Sequence, residues 1–288
     1  MIWLFALVRA AHFASLMTMF GASALLGQTR RIGVTGERLR RPLKLCAFTA
    51  LASAIVCLGF TAGEMTGDAA SGVDPAVLAS VIANTLYGHI FLLRLAILIG
   101  LALLSLGKEA HVLKALFAGA ALALMGPTSH AATAGDSAFA GLRAANDALH
   151  LLAAGFWVGG LVVILSELLP RPHAVARLVA LLTLFSRWGA VSVALLLAAG
   201  TANGIFILAP LATAWSPTYL TLLAVKIVLA GLMVALALTN RFGVLPALAK
   251  GDPEAVRTIP LTVLAELGAV LLILVIVGFL GLTAPMQM

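Results

Sequence analysis

Residues 144–168 read AANDALHLLAAGFWVGGLVVILSEL, and between Asp147 and Glu167 the sole ionisable side chain is His150. About 20 apolar residues cross the hydrocarbon core of a bilayer, and this run is long and apolar enough to do so. Lipid offers no partners for unpaired backbone groups, so the segment must be a helix. Seven further runs of the same kind lie at roughly 3–27, 43–63, 84–106, 112–131, 186–208, 218–240 and 260–282. The segment 76–83 is also apolar, so the third helix is expected to start early or to follow an interfacial turn after Pro75. The fold class is therefore all-α: a polytopic membrane protein of eight transmembrane helices. Composition agrees, with 62% hydrophobic and 10% charged residues in 288 and a mean hydropathy of +1.12.

Basic residues orient the bundle. The connection 28–44 holds Arg30, Arg31, Arg38, Arg40, Arg41 and Lys44. The third connection holds Lys108 and Lys114, the fifth Arg171, Arg177 and Arg187, and the seventh Arg241, Lys250 and Arg257. Together they account for fourteen of the eighteen Lys and Arg, whereas the alternate connections contain only Arg143 beside Glu64, Asp68, Asp74 and Asp136. The positive-inside rule puts the basic connections in the cytoplasm and both termini in the periplasm. The net charge of +7 is thus a topology signal spread over short connections. It speaks for contact with membrane lipid head groups and against nucleic acid as a partner. The first run lacks a charged leader and a small-residue cleavage site, so it is expected to be retained as a helix.

The two halves resemble each other. The first run has Arg9-Ala-Ala-His12 with Gly21 nine residues on, and the fifth has Asp147-Ala-Leu-His150 with Gly159 nine residues on. Gly59 and Gly63 in the second run match Gly200 and Gly204 in the sixth. Tyr87 and Arg94 in the third match Tyr219 and Lys226 in the seventh. Gly and Tyr are common in membrane helices, so the weight lies on the shared order. It predicts two four-helix repeats, 1–135 and 136–288, in parallel orientation about an axis along the membrane normal.

Four histidines fall in the outer half of the membrane or at its edge: His12, His89, His130 and His150, on four different helices. Ionisable residues within a bilayer are rare and usually face the bundle interior, so these are the candidate ligand set, with Met125 as a soft ligand. Met65, Met286 and Met288 offer further thioethers on the same side. Thioether and imidazole suit Cu(I), and imidazole also suits Cu(II). Asn146 and Asp147 lie within one turn of His150, and Asp147 is placed either to orient that ring or to neutralise Arg9. Arg94 and Lys226 pull against a metal in the same half, unless they snorkel or hold propionates. That last option makes haem b, with axial histidines from two helices, the alternative to copper. Pro127 is expected to end the fourth helix. Cys57 reads as a packed small hydrophobe, and Cys46 and Cys57 are roughly 16 Å apart along one helix, too far to bridge. No Cys-x-x-Cys, His-Glu-x-x-His or nucleophile–base pattern occurs, so no enzyme is expected.

The runs 147–161, 184–204 and 219–241, with Ser129-His130-Ala131, resemble the CopD family of bacterial copper-resistance membrane proteins. The resemblance spans nearly the whole chain. It is strongest in His150–x6–Trp157–x–Gly159–Gly160 and the following Phe185-Ser186-Arg187-Trp188. It implies an inner-membrane protein of copper homeostasis that moves copper across that membrane, alongside a separate periplasmic copper-binding partner of the CopC type. It carries over no ligand roles, although His130 and His150 lie inside the matching runs.

Overall fold

The computed structural model describes residues 2–107, 110–128, 139–168, 175–208 and 215–285. His130, His173, Asp136, Lys108, Arg171, Met286 and Met288 lie outside the described residues.

Each apolar run folds as a helix: α1 Ile2–Leu26, α2 Arg40–Thr66, α3 Pro75–Asn84, α4 Leu86–Leu106, α5 His111–Ala123, α6 Ala140–Leu168, α7 Val175–Leu208, α8 Pro217–Thr239, α9 Leu245–Ala249 and α10 Pro253–Leu280. Eight candidate spans result, with α8 and α9 forming one of them. The short helix α3 resolves the early start of the third run. Asp74 caps it, accepting from Ala76 N–H at 2.8 Å, with Pro75 at its first position. It breaks at Thr85, whose hydroxyl then caps α4 through Gly88 N–H at 2.9 Å. Both devices satisfy the orphan donors of a helix start. Helix α5 gives way to a 3-10 turn at Gly126–Thr128, around Pro127.

Helix α1 is the axis of the bundle and packs against α2, α5, α6 and α10. Its Leu16, Met19, Leu25 and Leu26 are fully buried. Bilayer helices gain little from hydrophobicity and much from close packing, and the α1–α6 crossing is built of glycine. A Cβ on Gly21 would sit 2.9 Å from Gly159 Cα and from the Phe156 carbonyl. The two glycines nine residues after His12 and His150 therefore touch each other. Apolar side chains point outward from the outer helices, among them Leu103, Leu116, Val228 and Leu271.

The basic connections share one end of the bundle: Arg38 in the first reaches the Ser166 carbonyl at the end of α6 at 3.4 Å. At the other end Ser216 N–H donates to the Pro285 carbonyl at 2.8 Å, tying the start of α8 to the segment after α10.

Candidate functional site

Two polar clusters are built on helices that stand in the same order in each half. In the first, His12 on α1 is 3% exposed. Its Nδ1 lies 2.9 Å from Ser53 Oγ and 3.1 Å from the Ala50 carbonyl, both on α2. Its Nε2 lies 2.6 Å from Nη2 of Arg94 on α4. A guanidinium only donates, so Nε2 accepts and the ring proton sits on Nδ1, facing Ala50 and Ser53. The imidazole is thus neutral with both nitrogens engaged. Ser53 can accept that proton because its own hydroxyl donates to the Thr49 carbonyl at 2.6 Å.

Arg94 is itself buried, and its Nε has no hydrogen-bond partner. Arg9 stacks on the Phe5 ring at 5.6 Å and lies over Gly281, with Cys57, Glu64 and Tyr87 in electrostatic reach. Cys57 feels both guanidiniums. The cluster thus holds two arginines, and its one carboxylate, Glu64, is exposed and answers Arg9. The cluster is cationic.

The second cluster differs in charge. His150 on α6 lies against Gly200 of α7, where an added Cβ would be 3.1 Å from the ring. Its Nδ1 is buried without a hydrogen-bond partner of good geometry, and the Leu196 carbonyl lies alongside the ring. Lys226 on α8 faces His150 and is offset by Asp147, which also acts on Tyr219. Asp147 Oδ1 accepts from Asn203 Nδ2 at 2.9 Å, and Asn146 Nδ2 donates to Asn203 Oδ1 at 2.7 Å and to the Ala199 carbonyl at 2.9 Å. This ladder clamps α6 to α7. The cluster is near neutral, and among the described residues it offers an imidazole Nδ1 with no well-aligned hydrogen-bond partner, the Leu196 carbonyl lying beside the ring.

His89 stands apart. It is exposed, near the start of α4, with Nε2 3.0 Å from the Ala83 carbonyl. Met125 packs, half-buried, against the core. Among the described residues no three His, Cys, Asp or Glu side chains group as a metal-ion ligand set.

Sequence reading missed four polar residues. Ser53 and Asn203 look unremarkable until their helices are paired. Glu266 on α10 is 1% exposed and accepts from Trp157 Nε1 at 3.1 Å and Asn240 Nδ2 at 2.9 Å. An acid inside an apolar run was the signal available for it. Asn240 opens a π-helix, Asn240–Val244, between α8 and α9.

Among the described residues, eight helices long and apolar enough to cross a membrane, with imidazole–cation clusters buried between them, define a multi-pass membrane protein. The chain belongs to the copper resistance protein D family. Residues 1–138 match the family's profile for the copper resistance protein D-like N-terminal domain, and residues 179–280 that for copper resistance protein D. It is 33% identical to copper resistance protein D of Pseudomonas syringae pv. tomato, over 96% of each chain. It is 27% identical to inner membrane protein YebZ of Escherichia coli K12, over 96% of this chain and 97% of that one. No solved structure matches. The chain is thus a multi-pass protein of the inner membrane, of a copper-related family.

Proposed function

We propose that the chain takes up copper from the periplasmic side and carries it across the inner membrane, with copper as its substrate and no catalytic step. The basic connections then face the cytoplasm and the termini the periplasm. The halves 1–135 and 136–288 are parallel repeats, an arrangement in which a two-fold axis brings counterpart residues such as Gly21 and Gly159 into contact.

The observation that carries this reading is the buried Nδ1 of His150, without a well-aligned hydrogen-bond partner among the described residues, beside a lysine already offset by Asp147. A cation is repelled less there than beside two arginines. His150 is therefore the first resting ligand. His12 joins only when Arg94 withdraws from Nε2, and Asp147 and Asn146 hold the second cluster in shape. His89, exposed at the periplasmic end, together with His130 and Met125, completes the set through which copper arrives. A periplasmic copper-binding protein of the CopC type is the proposed donor. The haem alternative gains no support from the relatives, and the cap on His12 Nε2 argues against that ring as an axial ligand.

The test is metal content with an absorption spectrum of the detergent-purified protein. The wild type should hold about one copper per chain and show no Soret band. His150→Ala should lose the metal while eluting as the wild type does. Full copper occupancy in a His12→Ala, His150→Ala double variant would sink the reading.

A further inference from the structure

Between α6, α7, α8 and α10 lies a cavity of about 420 Å³ whose polar lining consists of Trp157 at mid-span and Ser186, Asn240, Arg241 and Glu266 towards the basic end. Its lining includes no residue of the His12 cluster, and nothing in the copper reading uses it. Glu266 stands roughly 20 Å along α10 from Pro253 by helical rise. That depth is inside the apolar run. A carboxylate there is costly unless it is paired, bonded or neutralised by a proton.

The partners of Glu266 fit both protonation states. As drawn, each carboxylate oxygen accepts one N–H, from Trp157 and from Asn240, which suits the anion. Asn240 Oδ1 in turn accepts from Thr262 Oγ1 at 2.7 Å. Now let the Asn240 amide turn over, exchanging O and N at positions that diffraction itself barely distinguishes. A protonated Oε1 then donates to Oδ1, and Nδ2 donates to Thr262 Oγ1. The threonine proton has somewhere else to go, since Ile259 and Thr258 carbonyls lie 3.0 and 3.4 Å from Oγ1. Only the Asn240 amide oxygen and nitrogen trade places, and no buried group is orphaned in either state. A carboxylate kept only as a structural bracket needs no such second arrangement.

From this geometry we infer that Glu266, with Asn240 and Thr262, is a reversible proton-binding site within the membrane, reached through the cavity from the basic end. Ser186, Asn240 and Arg241 mark that end, and the volume accommodates several waters beside them. Among the described residues the charged side chain sharing the wall with Glu266 is Arg241, whose Nη1 donates to the Ser186 carbonyl at 2.6 Å. From α6 the cavity is lined by Trp157, Leu161 and Ile164, and from α9 by Leu245, none titratable in the relevant range. The charged residue of α1 nearest α10 is Arg9, at the far end over Gly281, and that of α8 is Lys226, opposite Asp147. The π-turn that presents Asn240 is a feature often found at functional sites.

The test is pH-difference infrared spectroscopy on the full chain in lipid nanodiscs, over about pH 5 to 9. A protonated-carboxyl C=O band should grow as pH falls in the wild type and be missing in Glu266→Gln. Asn240→Leu should keep the band but move it to the position of a carboxyl without an acceptor. If Glu266→Gln does not assemble, glutamate-labelled Trp157→Phe serves instead, because it keeps the acid and must shift the labelled band. Superimposable wild-type and Glu266→Gln difference spectra would overturn the inference. So would a Glu266 band that is constant at every pH. The readout is independent of copper, so it stands or falls apart from the transport reading.

Discussion

Replacing Gly159 by alanine adds one methyl group where two helix backbones meet. Its Cβ would fall on the Ala22 backbone nitrogen and 2.5 Å from Gly21 Cα. Neither wall is the end of a flexible side chain, so α1 and α6 must separate. Overpacking of this kind costs about 1–3 kcal/mol, and rigid walls push it to the top of that range or beyond. Alanine returns up to about 1 kcal/mol of helix propensity. The net loss is about 2 kcal/mol, roughly thirtyfold in the folding equilibrium. Gly231→Ala supplies the control, since nothing lies within 4 Å of its added Cβ; that variant should be neutral or slightly stabilised. Denaturant titration of both variants in one detergent, followed by helical circular dichroism, measures the difference. If Gly159→Ala proves as stable as Gly231→Ala, the close α1–α6 crossing is wrong, and with it the placement of the helices around it.

Three further outcomes are expected. Arg94→Leu removes the donor that caps His12 Nε2 at 2.6 Å, so copper affinity should rise by about one to two orders of magnitude, the scale of a lost charge-assisted hydrogen bond; the gain should vanish in Arg94→Leu, His12→Ala, as read by competition with a copper chelator. Gly200→Val drives a side chain into the His150 ring, already 3.1 Å from a bare Cβ, so bound copper should fall while the elution profile holds. Alkaline phosphatase fused after Pro285 should be active, and fused after Lys250 inactive, if the basic connections are cytoplasmic; the reverse pattern would invert the bundle.

The eight spans were legible because bilayer crossing is a property of composition alone. Leu, Val, Ile and Ala in runs of twenty leave little choice of structure; Pro127 marked the turn after α5 and Pro75 the start of α3, whereas the break between α3 and α4 falls at Thr85. The order His12, Arg94 and His150, Lys226 was legible too, but their pairing was not. A sequence shows that a histidine and an arginine share a leaflet. It does not show that Arg94 donates to His12 while Lys226 is answered by Asp147, because that depends on which faces of α1, α4, α6 and α8 turn inward. His89 shows the same limit: its position in the run suggested the interior, yet its helix phase leaves it exposed beside Ala83. Glu266 was hidden differently. One acid beyond the first turn hardly alters the average apolarity of the 28-residue α10, and its partner Asn240 sits in a π-turn that no periodicity announces.

The central position of α1 bears on biogenesis. Gly278 of α10 packs on the Ala6 backbone, Phe279 meets Trp3 edge-on at 4.5 Å, and Arg9 lies over Gly281. Helix α1 therefore completes its seat only after Gly278 of α10, some 250 residues beyond the end of α1, has left the ribosome. Until then one flank of α1 faces lipid or a chaperone, with its arginine unsheltered. Premature termination before α10 should accordingly yield a chain that inserts but is cleared by membrane proteases, with its amino-terminal half as vulnerable as the truncated end.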